Sequence, residues 1–409
     1  MRILTPYWCR NWSFLAFLGC SAILIGFGYF SYRPPYTLYS GLITDELYVA
    51  RKFLQEQVDP KFVLFKQLQG AGFNNQVQEI LLYHHLSLIS SRIYAYQPFI
   101  WRPRNHQQLP LSAFLPGPTK NTIPQTLFED VCPPEAIVHI TIPPSPYEEV
   151  WNKVQEALAR KDRCIQIDNW ILNWKFLASS ALHNIWPGFQ HYLSQYFEWS
   201  SQIQNMVERA QRALNLRPMS SKVDGEPYMA LHIRRGDFPE HCKTLAEDGI
   251  GFTTWATLPS VKDSILPPEL NPMNRSSVME HCYPSLWRIM DAIDRHAKRK
   301  PHVRALHILH DGAIDHLNVY FDLWKLETAV TNVDRAKRAG WKGGPMKLFT
   351  HTGDIPVQWG ERDFAVAVDV ELARQAEIFI GNGYSSLSSQ IVALRLAVEG
   401  GEAEDITLL

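Results

Sequence analysis

Apolar residues fall along this chain in two patterns, and their alternation predicts the architecture. Short runs with little polar interruption stand at 62–68 (FVLFKQL), 92–96, 228–233 (YMALHI), 305–309, 346–349 and 377–380. Such runs suit parallel strands covered on both faces. Between them lie stretches whose apolar residues recur three and four apart. In 75–90 these are Val77, Ile80, Leu81 and Leu88, with His84 on the same stripe; 200–216, 285–298, 363–375 and 385–398 are also expected as helices. Strand, glycine turn, helix, strand is the order of an α/β protein. The segment 100–147, rich in Pro, Asn and Gln, and the Pro- and Gly-punctuated segment 239–275 show no period and are expected as loops. The polar run 217–225 marks the best boundary. Two Rossmann-like domains, 59–220 and 226–409, facing a cleft are therefore expected, with 33–58 as a short stem before them.

The amino terminus follows another rule. Residues 12–32 (WSFLAFLGCSAILIGFGYFSY) carry no charge and are long enough to cross a bilayer as a helix. Trp12, Tyr29, Phe30 and Tyr32 fit interfacial belts better than the short core of a cleavable signal peptide. Arg2 and Arg10 precede the segment and Arg33 follows it, which orients residues 1–11 as a cytosolic tail. A single-pass type II membrane protein of the Golgi or endoplasmic reticulum is the expectation, with the remaining chain in the lumen.

Composition narrows the function. A chain of 409 residues with 46% apolar content is too long for one ordinary core and ample for two. Its 40 basic and 41 acidic residues nearly cancel, so no basic excess points to nucleic acid. Cys132, Cys164, Cys242 and Cys282 are an even set that an oxidising lumen allows to pair in three ways. Asn274-Arg-Ser is a glycosylation sequon in a loop-like stretch.

Chemistry concentrates where three predicted strands end in glycine-containing turns: 70–76 (GAGFNNQ), 234–237 (RRGD) and 381–386 (GNGYSS). Ligands of open α/β sheets bind beyond the carboxyl ends of strands. Free amides at a helix start favour anions there. Arg234 and Arg235 emerge at such an end, and a planar guanidinium matches phosphate oxygens. Ser385 and Ser386 stand where a helix begins, as caps or as phosphate contacts. No Asp-x-Asp pair occurs, so no dedicated carboxylates for a metal–diphosphate complex are present in the usual form; a departing diphosphate would be met by arginine and amide dipoles. No hydrolase elbow, zinc-protease helix or Walker loop occurs either.

Taken together, 70–76, the stretch 232–238 (HIRRGDF) and Asp369 followed by 376–386 resemble the GDP-fucose protein O-fucosyltransferase superfamily, in a divergent, fungal-type form. The resemblance covers most of the chain beyond residue 58. It implies a GT-B fold and an inverting, metal-independent transfer of fucose from GDP-fucose to a hydroxyl of a protein or glycan. GDP-fucose is then a substrate, and no cofactor is implied. By the same resemblance Arg234 would stabilise the leaving diphosphate and His232 would line the nucleotide pocket. Asp369 would bind guanine, Ser385 and Ser386 would hold phosphate oxygens, and Gly72, Phe73 and Asn74 would face the donor. Where some members carry a glutamate as general base this chain has Ala71, leaving Asp237 as a substitute. That departure keeps open a catalytically silent sugar-nucleotide binder, or the same fold with another nucleotide sugar.

Overall fold

The computed structural model describes residues 19–21, 34–67, 71–100, 108–219, 221, 224–236, 238–311, 317–397 and 402–409. The expected tail and membrane anchor, and Asp237, lie outside them apart from 19–21. Among the described residues no helix is long and apolar enough to cross a membrane.

The first half carries α1 (Tyr36–Gln55), β1 (Phe62–Phe65), α2 (Phe73–Ile89), β2 (Ile93–Tyr96), β3 (Ile123–Pro124), β4 (Ile137–Ile140), α3 (Tyr147–Leu158), β5 (Cys164–Ile167), α4 (Ala181–Tyr196) and α5 (Ser201–Ala213). Its sheet is parallel with strand order β3-β2-β1-β5-β4. The second half carries β6 (Glu226–Ile233), α6 (Phe238–Glu247), α7 (Arg275–Cys282), α8 (Leu286–Arg299), β7 (Ala305–His310), α9 (Leu317–Thr331), β8 (Leu348–His351), α10 (Ala365–Gln375), β9 (Ile378–Gly381), α11 (Ser386–Ala397) and β10 (Ile406–Leu408). Its sheet is parallel too, ordered β8-β7-β6-β9-β10, with Leu216–Arg217 pairing beside β6. In each sheet the chain starts at the centre, winds one way and then restarts on the other side. A crevice opens where the winding reverses: between β1 and β5 in the first sheet, between β6 and β9 in the second.

All four residues of β1 and all but the first of β6 are buried, which explains their unbroken apolar sequence. One continuous apolar core runs from Val63 and Ile165 of the first sheet through α2 and α4 to Ala230 and Phe379 of the second. Helix α2 is the wall between the two sheets, and all but three of its 17 residues are buried, Gln76, Gln78, Glu79, His84 and His85 included.

Three expectations change. The stretch expected as a short stem carries α1 from Tyr36 to Gln55, which packs Ala50 on the first sheet, and Tyr39 donates its hydroxyl to Asp363 Oδ2 in the second half at 3.0 Å. Its apolar residues Tyr39, Leu42, Leu47, Ala50 and Leu54 recur at helical spacing, masked in sequence by the preceding Pro34-Pro35. Within 100–147, β3 and β4 join the sheet, too short and too proline-flanked to show a period. Within 239–275, α6 directly succeeds the arginine turn and is tied to α7 by Cys242–Cys282. The second bridge, Cys132–Cys164, pins the chain before β4 to β5. Of the three pairings open in sequence, this is the one formed.

Candidate functional site

The carboxyl ends of β6 and β9 meet at the crevice of the second sheet. Ile380 is in register with Leu231, so Gly381 lies beside His232. His232 is buried, and its Nδ1 sits 2.8 Å from Ser388 Oγ on α11. The same hydroxyl accepts the Asn382 amide at 2.9 Å, so it bridges the imidazole and the turn after β9. Burial pushes His232 down to about 4, with Arg234 and His310 acting in the same direction and Asp311 opposing; the ring is neutral at pH 7. His232 thus clamps the end of β6 to the first turns of α11.

The two arginines beyond it have separate fates. Arg235 is 6% exposed; its Nε reaches Asp322 Oδ2 on α9 at 3.0 Å, its Nη2 donates to Pro284 O at 2.6 Å, and its guanidinium lies 4.3 Å over the Tyr283 ring. Arg234 leaves a third of its side chain accessible, 3.5 Å from Asp311 Oδ2 and 4.7 Å over the Phe238 ring. Asp311 Oδ1 also accepts the amides of Arg235 and Gly236 at 2.9 and 3.2 Å. One carboxylate therefore shapes the turn and orients the exposed guanidinium.

The turn after β9 is built against Phe252, just beyond α6. A Cβ on Gly383 would stand 2.5 Å from the Phe252 ring, so only glycine fits. Asn382 accepts the Tyr384 amide at 2.9 Å and donates Nδ2 to Cys282 O at 2.7 Å, joining the turn to the Cys242–Cys282 bridge. Ser385 is buried, and its Oγ has no hydrogen-bond partner. Ser386 at the start of α11 receives Gln78 Nε2 of α2 on its carbonyl at 2.8 Å, a direct bond between the two halves.

Asp369 stands apart from that turn, beyond the ends of β7 and β8. Thr352 Oγ1 lies 3.1 Å from both carboxylate oxygens and accepts the His310 amide at 3.2 Å. Burial pushes the Asp369 carboxyl up to about 8, against the lowering effect of Thr352. Sequence reading missed Thr352, His310 and His351; the last two share a 3.2 Å ring contact at the same sheet edge. Histidine at two adjacent strand ends, 310 and 351, was the signal available.

From the first half, Asn74 is buried in the first turn of α2 with its Oδ1 unpartnered. Phe73 does not face the crevice with its ring, which packs 5.3 and 5.2 Å from Phe99 and Phe114. Gly72 precedes α2, and a Cβ there would approach nothing closer than 3.8 Å, so the chain itself does not demand glycine.

Two cavities bear on the site. The larger, about 800 Å³, runs between α4, α5, α10 and α11 and includes none of these residues. Part of its polar lining is internally paired: Glu371 takes Trp199 Nε1 at 3.1 Å and pairs with Arg374. The smaller, about 40 Å³, lies between the halves and is bordered by Asn75, Glu79, Trp170, Thr254 and Ser386. Volume and chemistry disagree here, and unsatisfied polar groups, not volume, mark the site. Among the described residues no group of His, Cys, Asp and Glu has metal-ligand geometry.

No protein-family model matches the sequence, and none of the curated proteins does either. Solved structures do match in fold. A crystal structure of POFUT1 in complex with GDP-fucose superposes with a TM-score of 0.51 at 13% identity, covering 86% of this chain and 98% of that one. A crystal structure of POFUT1 in complex with GDP gives 0.51 at 14% identity, over 86% and 99%. The two parallel-sheet α/β halves are thus arranged as in a GT-B-like fold.

Proposed function

We propose that the protein is a glycosyltransferase that takes GDP-fucose as donor and moves the sugar, with inversion and without a metal, to a hydroxyl of a protein or glycan. The observation that carries this reading is the crevice between β6 and β9. There the His232–Ser388 clamp joins the end of β6, which accessible Arg234 follows, to α11, which the buried, unpartnered Ser385 hydroxyl precedes. A diphosphate suits that place: one guanidinium, one hydroxyl and the amide end of a 12-residue helix. The likeness in fold to structures holding GDP-fucose and GDP supports the choice of nucleotide.

In this reading the β-phosphate lies against Arg234. Breaking the bond between the sugar C1 and the phosphate oxygen places negative charge on that oxygen, and the guanidinium stabilises it more in the transition state than in the ground state. Asp311 keeps the guanidinium aimed, while Ser385 and Ser386 hold phosphate oxygens. Asp369 takes the guanine edge, whose two adjacent N–H donors match a carboxylate. Asn74 meets the donor from the first half. The two disulfides fit an oxidising lumen, and with the apolar stretch 12–32 they support a membrane-anchored protein of the secretory pathway.

Thermal shift with GDP, UDP and ADP tests the reading. GDP at 100 times its dissociation constant stabilises by about 2.7 kcal/mol, a rise of several degrees, and the other two should leave the melting temperature near its starting value. Equal shifts with all three, or none with GDP, would reject it.

A further inference from the structure

An inverting transfer needs a group to take the acceptor's proton, and that group must face the leaving diphosphate from across the sugar. Ala71 offers no carboxylate. Asp237 lies outside the described residues; among those described, the carboxylates around the second sheet's crevice are engaged elsewhere: Asp311 with Arg234 and two amides, Asp322 with Arg235, Asp369 with Thr352.

We propose that Glu79 is the general base, acting in the small cavity between the two halves. It is the only carboxylate among the described residues bordering that cavity, where it stands with Asn75 on one wall and Ser386 and Thr254 on the other. The fold accounts for the placement. Glu79 lies on α2, which leaves the end of β1, and Trp170 stands just past the end of β5; the two strands flank the crevice of the first sheet. Trp170 Nε1 donates to Glu79 Oε1 at 2.7 Å, spanning that crevice. The Gln78–Ser386 bond beside it locks this wall against α11. The base thus comes from one sheet's crevice and Arg234 from the other's.

The carboxylate accepts from Trp170 and lies against the Tyr83 hydroxyl, contacts that fix its position on the cavity wall. In the step, the acceptor O–H proton passes to Glu79 and the oxygen's electron pair forms the bond to the sugar C1. The C1–phosphate bond breaks, and its electron pair leaves on GDP at Arg234. Glu79 then returns the proton to solvent. With water as acceptor the same step yields free fucose and GDP. This assignment rests on the proposed use of GDP-fucose as donor.

The test measures GDP release from GDP-fucose in water against pH, alongside GDP affinity and melting temperature, for the native protein, Glu79→Gln, Glu79→Asp and Trp170→Phe. The native rate, measured with GDP-fucose saturating at every pH so that protonation of Asp369 does not enter through donor binding, should fall on the acid side with a one-proton limb. Few other groups facing Glu79 can cause such a limb: Tyr83 and Tyr94 are pushed far above their usual range by burial, and His84 and His85 down to about 3 and 4. Glu79→Gln should keep GDP affinity within about twofold, lose about a hundred-fold or more in rate and lose the limb. Glu79→Asp should keep a reduced rate with the limb present, and Trp170→Phe should keep the limb. A Glu79→Gln rate within fivefold of native, or its loss of GDP affinity and melting temperature together, overturns the proposal. So does a Trp170→Phe variant without the limb, because Glu79 would then act only through Trp170. GDP binding without any release by the native protein removes the base assignment and leaves the donor site standing. Absence of GDP binding removes the donor reading itself.

Discussion

Arg235 and Asp322 are joined by a 3.0 Å bond across 87 residues of sequence, and that bond decides which of two adjacent arginines is held inward and which stays accessible. Asp322 sits on α9, whose other face packs Val319, Leu323 and Leu326 into the core, so the helix cannot yield without exposing them. Arg235 is held inward and Arg234 is turned outward. The sequence Arg-Arg-Gly carries no sign of that division.

Single alanine variants separate the two roles. Arg235→Ala leaves Asp322 without its partner beside the protein interior and should destabilise by about 3 kcal/mol, lowering the melting temperature by several degrees. Arg234→Ala should melt within a degree or two of native, since its partly exposed pair contributes little. It should nevertheless lose about a hundred-fold in sugar transfer or donor hydrolysis. Calorimetry and initial rates on the same preparations check both, and an Arg234→Ala variant with full rate would remove its role.

Asp369 links pH to both stability and binding. Its native carboxyl is raised to about 8 from an ordinary value near 4. Between those values the native state holds a proton that the unfolded chain has lost, so this group's contribution to stability declines as pH rises through the window. Asp369→Asn should therefore gain melting temperature relative to native between about pH 4 and 8, with little difference below. Guanine's N–H donors require the ionised carboxylate, so native GDP affinity should weaken by up to tenfold per pH unit below about 8, and the variant should show weak, pH-flat binding. Titration calorimetry from pH 6 to 9 reads both. A pH-independent native affinity would place guanine elsewhere.

The His232–Ser388 clamp has a simple lesion. Ser388→Ala leaves the Asn382 amide without its acceptor and His232 Nδ1 without its hydroxyl partner. Each unsatisfied buried group costs about 1–3 kcal/mol, so a drop of several degrees is expected together with weaker GDP binding. Ser388→Thr retains the hydroxyl and should recover part of both.

The Cys242–Cys282 bridge closes a separation of 40 residues and supports the turn at Asn382 through the Cys282 carbonyl. Replacing both cysteines by serine should cost about 3 kcal/mol and lower GDP affinity as well. The Cys132–Cys164 pair, on the far side of the first sheet, should cost similar stability while leaving affinity within about twofold. Melting curves and calorimetry on the two double variants distinguish them.

Much of the framework is legible in the chain alone. Runs such as 228–233 and 378–380 read as strands buried on both faces, because their apolar residues do not alternate with polar ones. The glycine turns after them fall at strand ends, where His232 at the end of β6 contacts Ser388 of α11. Local rules failed where burial comes from contacts far apart in sequence. The stretch 33–58 reads as a stem until Tyr39 finds Asp363, 324 residues away. Phe73 reads as a donor contact until Phe99 and Phe114 close over it.

Glu79 is the sharpest case. On α2 every face is buried, so the helix shows no polar side on which a functional carboxylate would stand out, and Glu79 reads as one more helix former. By itself the sequence determined two parallel sheets and a strand that ends in an Arg-Arg-Gly turn, since apolar periodicity and turn chemistry act over a few residues. Which arginine is exposed, which cysteines pair and which carboxylate looks into the space between the halves were decided by the tertiary structure, because each depends on a partner that only the packing of two sheets brings near.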